Sequence, residues 1–134
     1  MKPKKKGVGR VLKRIGVSAL ALILLMMLYG MLGLKKTLAL SIGTVNLSEI
    51  PDGDYTGTYD CYRWSSEVSV AVRGHAITGI EVIKGQSGRE DIQNELIDRV
   101  LQAQSPAVDA VSGATADSKA ILKAVETALE NARQ

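Results

Sequence analysis

Between Arg14 and Lys35 runs a stretch from Ile15 to Leu34, twenty residues without a charged side chain. Nothing else in the chain restricts its options as strongly. A helix rises about 1.5 Å per residue, so such a run covers roughly the 30 Å hydrocarbon core of a bilayer. Tyr29 and the pair Lys35-Lys36 suit one membrane interface. The competing assignment is a cleaved export signal. Its apolar part is usually shorter, and here two lysines follow the run before the weakly cleavage-like Ala39-Leu40-Ser41. The one cysteine, Cys61, lies well downstream, so no lipid-attachment site follows the run. We expect a single uncleaved transmembrane helix over residues 15–34.

Charge orients that helix. Seven Lys and Arg residues precede it and two follow at once, whereas all fourteen acidic residues lie in 41–134 beside eight basic ones. The first forty residues therefore carry +9 and the remainder −6. The positive-inside rule then predicts a cytoplasmic basic tail (1–14), the span (15–34), a linker (35–50) and an extracytoplasmic domain (51–134) tied to membrane lipid. The pI of about 9.1 belongs to the tail. A nucleic-acid partner is excluded, because such a partner needs its basic patch on the folded part. Cys61 has no second cysteine to pair with and reads as a small buried hydrophobe, so the domain must be held by its core.

The domain shows strands first and helices after. Residues 38–51 hold an extended portion, Thr44 to Leu47, that can pack on the domain, and Pro51-Asp52-Gly53-Asp54 then makes a turn. Tyr55 to Tyr59 has aromatics at even spacing, and Glu67 to Arg73 places Val68, Val70 and Val72 on one face. Gly74-His75 is a two-residue hairpin turn, and Ala76 to Lys84 returns with Ile80 and Val82 inward. Glu90 to Gln102 repeats Ile92, Leu96 and Val100 at spacing four, and Ser105-Pro106 closes that helix. Ala120, Ile121, Ala124, Val125, Ala128 and Leu129 recur at helical spacing through the C-terminal segment. The predicted fold is α+β: a small antiparallel sheet packed by two helices, preceded by the one N-terminal transmembrane helix.

Little in the composition can do bond chemistry unaided. His75, the one histidine, sits in a turn, and Ser112, Thr115 and Cys61 have no evident base, so no catalytic residues are assigned. No Cys or His pair stands at ligand spacing and the acidic residues are scattered, so no metal site is assigned either. What remains is Asp109-Ala110-Val111-Ser112-Gly113-Ala114-Thr115-Ala116-Asp117-Ser118, small and polar residues leading into the last helix. A hydroxyl cap explains part of it. The run Ser112 to Thr115 also leaves room for a large group against the backbone, and a phosphate there would meet the positive end of the helix dipole. Tyr62 and Trp64 either cover the core or shelter an aromatic ligand.

The segment Val108 to Thr115, followed by Ser118 and a helix beginning Lys119-Ala120-Ile121, resembles the flavinylation motif of the FMN-binding domain family. That family includes the peripheral flavin subunits of the sodium-pumping NADH:quinone reductase and Rnf complexes. Asp52-Gly53-Asp54-Tyr55-Thr56-Gly57 is similar to the family's opening, and the likeness covers about residues 50–132. The resemblance implies FMN as cofactor, joined through its phosphate to Thr115 by a separate flavin transferase that uses FAD. It implies recognition and phosphate-cradling roles for Asp109, Ser112, Gly113 and Ala114, with Ser118 closing the motif. It also implies an electron carrier or oxidoreductase subunit, exchanging electrons with a membrane donor or other redox proteins, more than a stand-alone enzyme. The alternative is an anchored binding module that holds FMN or a partner protein non-covalently. One position departs from the pattern: many members have a hydroxyl residue where this chain has Asp117, and an anion there is expected to repel the phosphate. Positions 62–64 and 85–89, being loop-like, are the expected neighbours of the isoalloxazine ring.

Overall fold

The computed structural model describes residues 6–134, so residues 1–5 of the expected basic tail lie outside the described residues. The chain divides into two compact units, Met1–Leu32 and Gly33–Gln134. Among the described residues the first holds one helix, α1 (Lys6–Met31), whose large apolar side chains are exposed. Among the described residues it is the one helix long and apolar enough to cross a membrane, with mean hydropathy 2.4 over its most apolar stretch. It begins nine residues before the uncharged run, so Arg10, Lys13 and Arg14 are helical.

The second unit is α+β, as expected. A short helix, α2 (Leu34–Leu38), comes first, followed by three strands, β1 (Gly53–Tyr59), β2 (Ser66–Arg73) and β3 (Ala76–Lys84), and by α3 (Glu90–Ala103) and α4 (Thr115–Ala132). The strands form one antiparallel sheet in the order β1-β2-β3. Helix α4 lies across β1 and β2, and α3 touches β3 and α4. Val68, Val70 and Val72 are fully buried beneath α4, where Ala124, Val125, Ala128 and Leu129 are fully buried in turn.

The alternation of β2 explains the sheet's inner face, but β3 needs a bulge. Ala71 pairs with Gly79 while Val72 pairs with Ile77, leaving Thr78 as the extra residue. The insertion changes parity, so Ile77 turns inward together with Ile80 and Val82. A second shift leaves Ile83 exposed. The β2–β3 turn has both central residues at positive φ, 59° at Gly74 and 61° at His75, as a type I′ turn requires. Asp52 holds it from outside by accepting from Gly74 N–H at 2.8 Å, and Arg73 pairs with Asp54 at 3.1 Å. The Asp52-Gly53-Asp54 turn therefore braces the hairpin as well as starting β1.

Gly57 marks the closest approach in the core. A Cβ there would collide with the backbone of α4 at Ala124 and Ala128, so the missing side chain lets helix and strand pack directly. The stretch expected as a linker is packed structure. Thr37 on α2 is buried and shares a hydrogen bond of 2.9 Å with the Tyr59 hydroxyl, Leu40, Ile42, Val45 and Leu47 pack on the core, and Ile50 is fully buried. Lys119 on α4 donates to Leu40 O at 3.2 Å. Val45 and Leu47 belong to the portion, Thr44 to Leu47, that the sequence allows to pack on the domain, while Leu40 and Ile42 show no helical or strand period that would announce their packing.

Candidate functional site

Loop 104–114 joins the two C-terminal helices. Gln104 ends α3 in the left-handed conformation (φ 51°), ahead of Ser105-Pro106, and ties itself to β3 through both Ile77 N–H and Ile77 O. From there the chain crosses to α4, and Arg99 donates to the carbonyls of Asp109 and Ala110 at 3.1 and 3.2 Å. The turn at 111–114 is closed by Ala114 N–H on Val111 O at 3.0 Å and by Val111 N–H on Ser118 Oγ at 3.1 Å. Gly113 sits at φ 79°, with open space where a Cβ would be, so the backbone conformation and not crowding selects glycine.

The expected site residues separate into an outward and an inward set. Ser112, Gly113 and Thr115 are exposed on the turn, and so is Asp109. Asp109 lies beside Arg99, Gln102 and Val108, toward the end of α3. Ala114 and Ser118 are buried, and Ser118 spends its hydroxyl on Val111, so its contribution is to hold the turn. Thr115 is the first residue of α4. The cap position is taken by Ala114, whose side chain accepts nothing, so the N–H groups of the first turn have no side-chain cap. The hydroxyl cap expected from the sequence is not formed, and that leaves an anion-attracting helix end.

Asp117 is not the bare anion that its position suggested. It is 8% exposed, and Oδ2 accepts from Arg89 Nη2 at 3.1 Å. Arg89 immediately precedes α3 and remains 41% exposed, so one end of the pair is in solvent and the other is closed off. The repulsion expected between Asp117 and a phosphate is thereby offset by a guanidinium 28 positions away in sequence.

Beside this pair is a narrow cleft of about 290 Å³, its open mouth included, lined by Trp64, Gln86, Arg89, Ile92, Asp117 and Ile121 among others. Nearly all of that is open mouth: the enclosed space is about 10 Å³, room for one water. Its walls are well tied. Trp64 is fixed by its backbone N–H on Cys61 O at 2.9 Å and by Arg63, whose guanidinium carbon lies 4.7 Å from the ring centroid. Gln86 donates to Arg63 O and accepts from Gln93 Nε2, joining loop 85–89 to the turn at 62–64. The two loops expected near the ring thus meet here. Two buried polar atoms have no partner among the described residues, Trp64 Nε1 and Asp117 Oδ1, and both residues line this cleft.

The sequence reading missed Arg89 as the partner of Asp117 and missed Gln93, Ile92 and Ile121 as cleft walls. The available signal was the isolation of Arg89, the one basic residue between Lys84 and Arg99. His75 is a turn residue whose Nδ1 lies 3.2 Å from Ile50 O, outside the cleft. Cys61 is a buried free thiol. Among the described residues no group of His, Cys, Asp and Glu is placed to hold a metal.

An uncapped helix end suits a phosphate, and the narrow cleft adds an unpaired acceptor, an unpaired donor and an apolar wall of Ile92, Ala120 and Ile121. Comparison with curated proteins finds no match. Comparison with protein families matches residues 63–130 to the FMN-binding domain. The matched region holds both walls of the cleft and the whole 109–118 turn, and leaves Asp52 to Gly57 outside. With the match spanning half of the chain, and with a donor and acceptor waiting in the cleft that it covers, the protein belongs to the FMN-binding domain family and its cofactor is FMN.

Proposed function

We propose that the chain is a membrane-anchored electron-transfer protein that carries FMN as a phosphothreonyl ester on Thr115. One observation carries the reading: Thr115, within the region that matches the FMN-binding domain, is exposed at the uncapped N-terminus of α4. In the attachment step the Thr115 hydroxyl oxygen bonds to the FMN-side phosphorus of FAD, the bond between the two phosphates breaks, AMP leaves, and the hydroxyl proton passes to the transferase. The ester phosphate then faces the free N–H groups of the first turn, with Ser112 and Gly113 alongside. Asp109, outward on the loop, suits recognition by the transferase.

When bound, FMN supplies one- and two-electron redox chemistry. The chain's own part is to hold it. A covalent tether keeps the cofactor at high effective concentration at the membrane surface, where a free flavin would be diluted. The charge asymmetry of the sequence supports a cytoplasmic N-terminus and an outer domain of net charge −6. The partners are then a flavin transferase, a membrane electron donor and an outer acceptor.

The test is in-gel flavin fluorescence after denaturation, with intact mass, in cells that contain the flavin transferase. The wild type and Thr115→Ser are expected to be modified and Thr115→Ala is not. An unmodified mass for the wild type refutes the ester and leaves an anchored module that holds FMN non-covalently.

A further inference from the structure

Three large apolar side chains of Gly33–Gln134 are exposed, Leu38, Tyr62 and Ile83, and the fold gathers them at one end. The strand register sets Tyr59 opposite Ser66 and Glu67 opposite Lys84 at that end, with the Gly74-His75 turn at the other. Helix α2 is joined to the first end by the hydrogen bond of Thr37 with Tyr59, and the turn Tyr62–Trp64 leaves from the same end of β1. A Cβ on Gly33 would stand 3.1 Å from Tyr62 Cδ2, and the Cys61 thiol lies 3.7 Å from Gly33 O, so Tyr62 is beside the residue that caps α2.

Tyr62 is held in place. Its backbone is in the left-handed region, φ 53°, which a residue with a bulky side chain adopts only where its surroundings impose it. Ser65 imposes it, donating from Oγ to Tyr62 O at 2.8 Å and accepting from Cys61 N–H at 3.0 Å. The ring is left 62% exposed. Around it at the same end are the exposed cations Lys35, Lys36, Arg63 and Lys84, against the acidic Asp60 and Glu67. Gly33–Gln134 holds ten basic and fourteen acidic residues, so a net positive end runs against the charge of the unit as a whole.

We propose that this end is a membrane-contact surface: Tyr62, Leu38 and Ile83 enter the phospholipid headgroup layer of the adjoining leaflet, and Lys35, Lys36, Arg63 and Lys84 meet lipid phosphates. The proposal rests on the reading that residues 15–34 span the bilayer. Gly33 belongs to that uncharged run, so covalent length alone keeps it at the edge of the hydrocarbon core, and Tyr62 beside it stays at the surface. Tyrosine has the form that such a place selects, an apolar ring with a polar tip, while lysine and arginine lay their stems on apolar surface and their charge among headgroups. Lys119 on α4 donates to Leu38 O, so contact at this end also holds the first turns of α4 toward the bilayer.

The experiment uses the full chain in nanodiscs of phosphatidylcholine and phosphatidylglycerol, some of whose headgroups carry a nitroxide quencher. An environment-sensitive fluorophore is attached at Ile83→Cys, or at the exposed Thr78→Cys roughly 16 Å further from that end on the same strand, each with Cys61→Ala so that one thiol is present. Quenching is expected to be at least about twofold stronger at 83 than at 78, with Tyr62→Ser removing most of the difference and Tyr62→Trp restoring it. Near-ultraviolet circular dichroism verifies folding, and the buried Cys61 is retained where its replacement disturbs the fold, with the labelled position then read by mass. Equal quenching at the two positions overturns the proposal and leaves the patch to a protein partner. Quenching at 83 that Tyr62→Ser leaves unchanged overturns it too. Failure of the anchor is read separately and first: a chain that does not co-elute with the nanodiscs refutes the span, and the proposal with it.

Discussion

Replacing Arg89 by alanine removes the one ionic partner that Asp117 has among the described residues. The carboxylate is left 8% exposed with neither oxygen paired, since Oδ1 has no partner to begin with. Breaking a fully buried pair in this way costs about 3–5 kcal/mol. Arg89 is 41% exposed, so water can enter where the guanidinium was, and the loss falls to about 2 kcal/mol, within the range for a hydrogen bond to a charged group. For a domain the size of Gly33–Gln134, that corresponds to a fall in Tm of roughly 8–16 °C. On the proposed Thr115 ester, the same substitution leaves an uncompensated anion two residues from the phosphate, so the attached fraction falls as well. Arg89→Ala with Asp117→Ser removes both charges and is expected to recover most of the stability and the attachment. The assays are a near-ultraviolet circular dichroism melt of the full chain in detergent and the intact mass of protein made with the transferase. A single variant melting within about 2 °C of the wild type, a small fraction of the expected shift, refutes the reasoning. A double variant no better than the single one refutes it too.

Three further outcomes follow from the fold. Gly57→Ala puts a methyl group into the backbone of α4 and within 2.8 Å of Ala128 Cβ, so strand and helix must part; the denaturation midpoint should drop by the equivalent of about 3 kcal/mol, the upper end for overpacking. Ser118→Ala removes the acceptor for Val111 N–H, costing about 1 kcal/mol, and amide exchange at Val111 should speed up while the centre of α4 stays protected. Burial raises the Tyr59 hydroxyl above its ordinary value of 10.0, with Cys61 adding to the shift and the Thr37 hydrogen bond opposing it. The neutral phenol is thus favoured by folding, and its stabilisation is complete below pH 10.0 and lost as the pH rises through the higher folded value. Tyr59→Phe should flatten the alkaline limb of denaturation midpoint against pH, and an unchanged limb would assign it to other groups.

The elements with a strong period were legible in the sequence, because one face of each is buried against one other layer. Val68, Val70 and Val72 on β2, Leu96 and Val100 on α3, and the Ala120 to Leu129 stripe on α4 all occupy the core as their spacing predicts. Two features were not legible, each for a definite reason. Ile77 is inward only because Thr78 is bulged, and a bulge depends on the partner strand's register, which a single strand's pattern does not contain. Residues 34–50 pack through single contacts, Thr37 to Tyr59 and Ile50 into the core, and isolated contacts leave no repeat to detect.

At the site, the motif itself was legible and its electrostatics were not. Counting along the chain places Asp117 beside Thr115 and predicts repulsion, since the dipole of α4 offsets an adjacent anion only in part. Distance in sequence says nothing about Arg89, which reaches Asp117 only because the start of α3 is held beside the start of α4 by the wall that Gln86 and Gln93 tie together. Once the pair is formed, the charge of Asp117 is offset where the sequence alone predicts a bare anion. Ser112, Gly113 and Thr115 stand on the exposed side of the helix end. A hydroxyl residue at position 117 would not demand a guanidinium. The aspartate and Arg89 are therefore best understood as one unit, and a variant that changes either alone should lose more than a variant that changes both.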